Sequence, residues 1–167
     1  MKRIVTKIGN VFSVKLNESK KKYSQYVAND IYQLNSSVIR AFKKEYLIDE
    51  NPKLQIVVQD EVELYAHTIL SLGIRLNLWE KVGKVEFADK IDVFFRGTED
   101  FGTKNGKSKA LISENWYVWQ IGDNKTLKVG KLTGEYRNAE IGLVVNPHEI
   151  VERIRTGKYV YLNLQYE

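Results

Sequence analysis

Apolar residues recur along this chain with a period of two, and only one stretch carries a helical stripe. That pattern limits the fold more than any other feature. In "NVFSVKL", Phe12, Val14 and Leu16 point one way and Val11, Ser13 and Lys15 the other, as in a half-buried strand. "NESKKK" reads as a polar turn carrying Lys20, Lys21 and Lys22, and "YSQYVA" resumes as the second arm of an antiparallel hairpin. Tyr23 and Tyr26 then fall on opposite faces.

The same alternation continues. Over 35–46, Asn35 or Ser36 could cap a short helix ending at Tyr46, but the β-branched "VIRAF" favours a strand. In "EVELYAHTILSLGIRLNLW", Val62, Leu64, Ala66 and Thr68 share one face and Tyr65, His67 and Ile69 the other. Ile74, Leu76 and Leu78 alternate after Gly73, so two strands meeting at that glycine are expected; a glycine inside one long helix would cost about 1 kcal/mol. "KIDVFFR", "NWYVWQI", "TLKVGKL", "AEIGLVV" and the terminal "YVYLNLQY" supply further strand candidates. The polar, glycine-rich 97–109 reads as a surface loop.

The helical stripe lies at about 146–156. Asn146 suits the cap, Pro147 the first turn, and Ile150, Val151 and Ile154 the buried face. Arg153 and Arg155 oppose the dipole's negative end, and Gly157 can close the helix in a left-handed conformation. The expectation is a β-rich α+β fold: one domain over 1–167, built as a strongly bent antiparallel sheet or small barrel with one clear C-terminal helix. A chain of 167 residues buries roughly 70% of its unfolded surface and needs no staples.

The segment "NWYVWQI" sets Trp116, Val118 and Gln120 on one face and Tyr117, Trp119 and Ile121 on the other. The two indoles therefore cannot clamp one ligand, and a strand apolar on both faces reads as central and covered.

Chemistry is sparse. With no cysteine there is no disulfide and no thiolate metal site, which suits a reducing cytosol, so cytoplasmic residence is expected. No apolar run is long enough for a signal peptide or a spanning helix, so no membrane role is expected. His67 and His148 are the only histidines and lack zinc-ligand spacing. His67 reads as a core histidine and His148 as an exposed one. Asp60, Glu61 and Glu63 lack the alternating loop of a cation site and read as a solvated charge cluster. "GTKNGKS" misses a phosphate loop by one residue, with three residues between its first glycine and Gly-Lys-Ser where four are needed. No catalytic residue, cofactor or metal is assigned.

The formal charge is +5, unevenly spread. Lys/Arg against Asp/Glu counts are ten to five over 1–50, six to nine over 51–100 and ten to seven over 101–167, so the middle is acidic.

The opening "IGNVFSVKLNESKKKYSQYVA" resembles the start of the immunity protein 26 family, found beside bacterial polymorphic toxins. Gly9, Val11, Phe12, Val14 and Leu16 match its first strand, and Lys22 and Tyr23 its second. "LWEKVGK", with Trp79 and Gly83, looks like its tryptophan-to-glycine turn. The likeness covers the first thirty residues and the Trp79 region, and Gln25-Tyr26 stands where such proteins often carry glycine. It implies a non-enzymatic module that neutralises a cognate toxin by occluding it. From charge, Glu80, Glu86, Asp89, Asp92, Glu99 and Asp100 are the candidate partner-binding residues. Two other expectations stand beside it: nucleic-acid binding by the basic ends and the 97–109 loop, and a metal-free hydrolase using carboxylates and His67. The positive balance argues against wholesale mimicry of nucleic acid.

Overall fold

The computed structural model describes residues 4–100 and 113–159. Strand β1 (Asn10–Lys15) pairs antiparallel with β2 (Lys20–Asp30), Val11 opposite Gln25 and Lys15 opposite Lys21. The turn is shorter than expected. Asn17 Oδ1 accepts the backbone N–H groups of Ser19 and Lys20 at 2.9 and 3.0 Å, and the strand restarts at once. The three lysines therefore lie on β2, not in the turn. Lys21 and Lys22 are buried, Lys22 because its ammonium reaches Glu63 at 2.7 Å and the Ile154 carbonyl at 3.2 Å.

Strand β3 (Ser36–Phe42) settles the ambiguous segment as extended, and β4 (Tyr46–Leu47) pairs with the start of β2. A short helix α1 (Leu54–Val57) precedes β5 (Val62–Thr68), which lies against β3. Beyond β5 the chain turns helical: α2 spans Leu70–Arg75, and only at β6 (Glu80–Lys84), paired with β1, does it extend again. The strand expected at 74–79 is thus absent. An added Cβ on Gly73 would sit 2.0 Å from the Trp79 ring, so the missing side chain lets the indole lie on the helix and donate to the Leu70 carbonyl at 3.2 Å. Asn77, at φ 54, ends the helix, and the N–H of Leu78 returns to the Gly73 carbonyl.

A second sheet holds β7 (Phe95–Thr98), β8 (Trp116–Trp119), β9 (Leu127–Gly130) and β10 (Glu140–Ile141), in the order β10-β7-β8-β9. The expected strand over 90–96 begins only at Phe95. Strand β11 (Val144–Val145) returns to the first sheet, ordered β11-β5-β3-β2-β1-β6 with β4 beside β2. Both β11–β5 and β10–β7 are parallel, so the sheets are mixed, and neither closes into a barrel. Helix α3 (Pro147–Thr156) is as expected: Asn146 Oδ1 accepts the His148 N–H at 2.9 Å, and Gly157 closes it at φ 77. The α+β, β-rich class holds. Gly97 and Thr98 of the expected 97–109 loop belong to β7, while 101–109 of that loop and all of the terminal strand candidate but Tyr159 lie outside the described residues.

One face of the first sheet packs Phe12, Val14, Ile39 and Leu64 against Ile150 and Ile154 of α3. The other packs Val27 and Val38 against Phe95 and Trp119 of the second sheet. Trp116 and Val118 face the opposite way, onto Leu132 and Ala139. Both indoles are buried and on opposite sides, as the alternation requires. Each such side chain stabilises the fold by roughly 1.5–3 kcal/mol.

Candidate functional site

A buried polar node centred on Asp30 joins the two sheets, in addition to the Tyr65 N–H that β5 donates to Glu140 of β10 at 2.9 Å. A bulge in β2 at Val27 lets Val27 and Ala28 both face the second sheet, and Asp30 follows them inward. The carboxylate of Asp30 is fully buried. Its Oδ2 accepts from Trp119 Nε1 at 3.1 Å and lies 2.9 Å from His67 Nε2; its Oδ1 accepts the Gln33 N–H at 3.2 Å. The His67 ring meets Phe95 edge-on, centroids 4.4 Å apart. Burial pushes the imidazole's pKa below its ordinary value, and Asp30 opposes that only in part. The neutral ring donates through Nε2, leaving Nδ1 buried without a partner among the described residues. With 0% of its surface exposed, His67 offers a substrate no approach. The core-histidine reading holds, and His148 is exposed.

The three carboxylates at 60–63 are not one solvated cluster. Asp60 accepts from the Tyr46 hydroxyl at 2.5 Å, Glu61 pairs with Lys43, and the largely buried Glu63 holds Lys22 at 2.7 Å and Arg153 at 3.6 Å. No three potential metal ligands gather among the described residues. The lysine run is engaged as well: Lys20 with Glu45, Lys21 with the Ile48 carbonyl and Lys22 with Glu63.

The open features lie on the surface, and four of the six acidic candidates, Glu80, Asp89, Glu99 and Asp100, line three of them, while Glu86 and Asp92 line none of the three. A groove of about 420 Å³ runs between the 87–91 segment, β2 and the 120–123 turn. Phe87, Ile91 and Ile121 line it with Ile8, and the charged groups on it are Asp89, Asp123 and one cation, Lys90. Asp92 joins it indirectly, accepting from Gln120 Nε2 at 2.7 Å, and exposed Glu86 immediately precedes Phe87. Asp123 also caps its own turn, accepting the Gln120 N–H at 2.8 Å. Glu80 lines a different groove of about 460 Å³, with Ile74, Leu78 and Trp79. Glu99 and Asp100 line a third, of about 270 Å³, with Tyr117 and Lys128. There Asp100 is tied down by the Ser113 hydroxyl at 2.8 Å and the Asn115 amide at 3.0 Å, and Glu99 lies 3.9 Å from Lys128.

The sequence pointed to Glu86, Asp89 and Asp92 but missed Asp123, Ile8 and the apolar floor, which come from segments far apart in the chain. The residues that carry the family likeness are structural here. Gly9 sits at φ 92, where a Cβ would press on the Val85 carbonyl at 2.5 Å, and Trp79 is buried. No protein-family model, curated protein or solved structure matches the chain.

Proposed function

We propose that this protein is a non-enzymatic binding module that holds a basic segment of another protein on the groove beside Asp89. The observation that carries the reading is an apolar lining of Phe87, Ile91 and Ile121 flanked by the carboxylates of Asp89 and Asp123, with Asp92 bonded to Gln120, so that acidic groups outnumber the single lining cation, Lys90. An apolar centre inside a charged rim is the usual anatomy of a protein interface, and rim carboxylates steer and select a cationic partner. The sealed imidazole gives the hydrolase reading no comparable support; the nucleic-acid reading rests on the basic ends and the 97–109 loop, of which 101–109 lies outside the described residues. The immunity-family resemblance makes the partner a toxin, neutralised by occlusion within the producing cell.

Co-expression with the product of the adjacent gene tests this. A stable complex and rescue from toxicity are expected, and Asp89→Asn with Asp92→Asn and Asp123→Asn should weaken the complex at low salt. Neither complex nor rescue would remove the toxin-neutralising reading.

A further inference from the structure

Beside the groove, the β2–β3 turn breaks the usual rule for turns. Such positions favour Gly, Asn, Asp, Ser or Pro, yet this one presents Ile31 at 60% and Tyr32 at 58% exposure. The Tyr32 hydroxyl has no partner among the described residues. The turn is tied to the groove's edge, because Gln33 Nε2 donates to the carbonyl of Asp123, a groove residue, at 2.9 Å.

The turn is also held from below. Asp30 Oδ1 takes the Gln33 N–H while its Oδ2 is fixed by Trp119 and His67, and Asn35 at φ 44 swings the chain back into β3. Two apolar side chains are therefore held out in water by a turn whose base is tied into the core. A surface ordered before contact loses less entropy on binding, and exposed tyrosines beside apolar pockets are frequent hot spots.

We infer that Ile31 and Tyr32 are the affinity anchor of a preformed docking surface for a protein segment bearing alternating apolar and Lys/Arg side chains. The apolar side chains would meet the turn and the groove floor, and the cations Asp89, Asp92 and Asp123. This rests on the protein-binding reading above and adds which residues carry the affinity and what the partner segment must contain. Asp30 acts as a positioning residue.

The test is an NMR titration of the full chain with three short synthetic probes: alternating Lys-Val, alternating Glu-Val and alternating Lys-Ser peptides. The Lys-Val probe should shift the amides of 31–33, 87–92 and 120–123 saturably, and the other two should bind at least about tenfold more weakly. Tyr32→Ser should weaken the Lys-Val probe about tenfold or more, whereas Ile56→Ser, at an exposed apolar residue on α1, should not. Equal binding of the Glu-Val probe, shifts confined to other surfaces, or an unaffected Tyr32→Ser overturns the inference. A toxin complex whose footprint omits the turn overturns it while leaving the binding-module reading intact. A saturable Lys-Val site without any toxin complex supports it and removes only the immunity role.

Discussion

At the scale of single residues, the most consequential group is the His67 imidazole, neutral in the core with one nitrogen bonded to Asp30 and the other without a partner among the described residues. Its folded pKa lies below the ordinary value, so above about pH 6.5 folded and unfolded chains carry the same charge there. Below that, the unfolded imidazole takes a proton the folded one refuses. This contribution to stability therefore falls with acidification, by up to about 1.4 kcal/mol per pH unit, until the folded ring also protonates. Glu140 acts with opposite sign: burial raises its pKa against the Tyr65 N–H and Arg153, so its contribution is full in acid and declines as pH rises through the folded value. Denaturant titrations between pH 5 and 7.5 should show His67→Gln, whose amide can still donate to Asp30, with a shallower acid loss than wild type. Equal slopes would contradict a neutral buried imidazole. Sequence placed His67 in the core because its neighbours alternate. It held no sign of Asp30, whose side-chain partners lie thirty-seven and eighty-nine positions away.

Among the elements, two local rules are overridden by distant contacts. The Lys20-Lys21-Lys22 run has the composition of a turn, yet Lys22 is drawn into a strand by Glu63 on β5 and by the carbonyl end of α3. Lys22→Met should cost about 1–3 kcal/mol, because Arg153 still faces Glu63. Glu63→Gln leaves two largely buried cations unmatched and should cost more, about 3–5 kcal/mol. Chemical denaturation gives the ordering, and the reverse order would show that Lys22, not Glu63, is the centre of the cluster. Gly73 is the second case. Alanine is the better helix former by about 1 kcal/mol, yet Gly73→Ala should destabilise by about 1–2 kcal/mol net, since its Cβ would fall 2.0 Å from the Trp79 ring. A more stable variant would mean the indole moves aside freely. By contrast β1 and α3 were legible, because their signals are local: alternation in one, and Asn146, Pro147 and Gly157 in the other. The α2 helix was not, because its reason to be helical is the ring at Trp79.

At the scale of the whole molecule, two open mixed sheets bury Phe95, Trp119 and the His67 imidazole between them. No helix among the described residues is long and apolar enough to cross a membrane. Among the open surfaces of the described residues, the seam where the sheets meet carries a groove lined by Asp89 and Asp123, with the exposed Ile31–Tyr32 turn tied to it through Gln33 and the Asp123 carbonyl. The acidic middle of the sequence pointed toward that seam but merged it with Glu80, Glu99 and Asp100, which the fold carries to other grooves. The central claim is that this seam binds a cationic protein partner. Its most direct measurement is the affinity for the adjacent gene's product, taken across salt concentration for wild type and for the Asp89→Asn/Asp92→Asn/Asp123→Asn variant. The wild-type complex should weaken as salt rises, and the variant should bind about tenfold more weakly at low salt with a flatter dependence. Identical affinities and identical salt slopes for the two would contradict the claim.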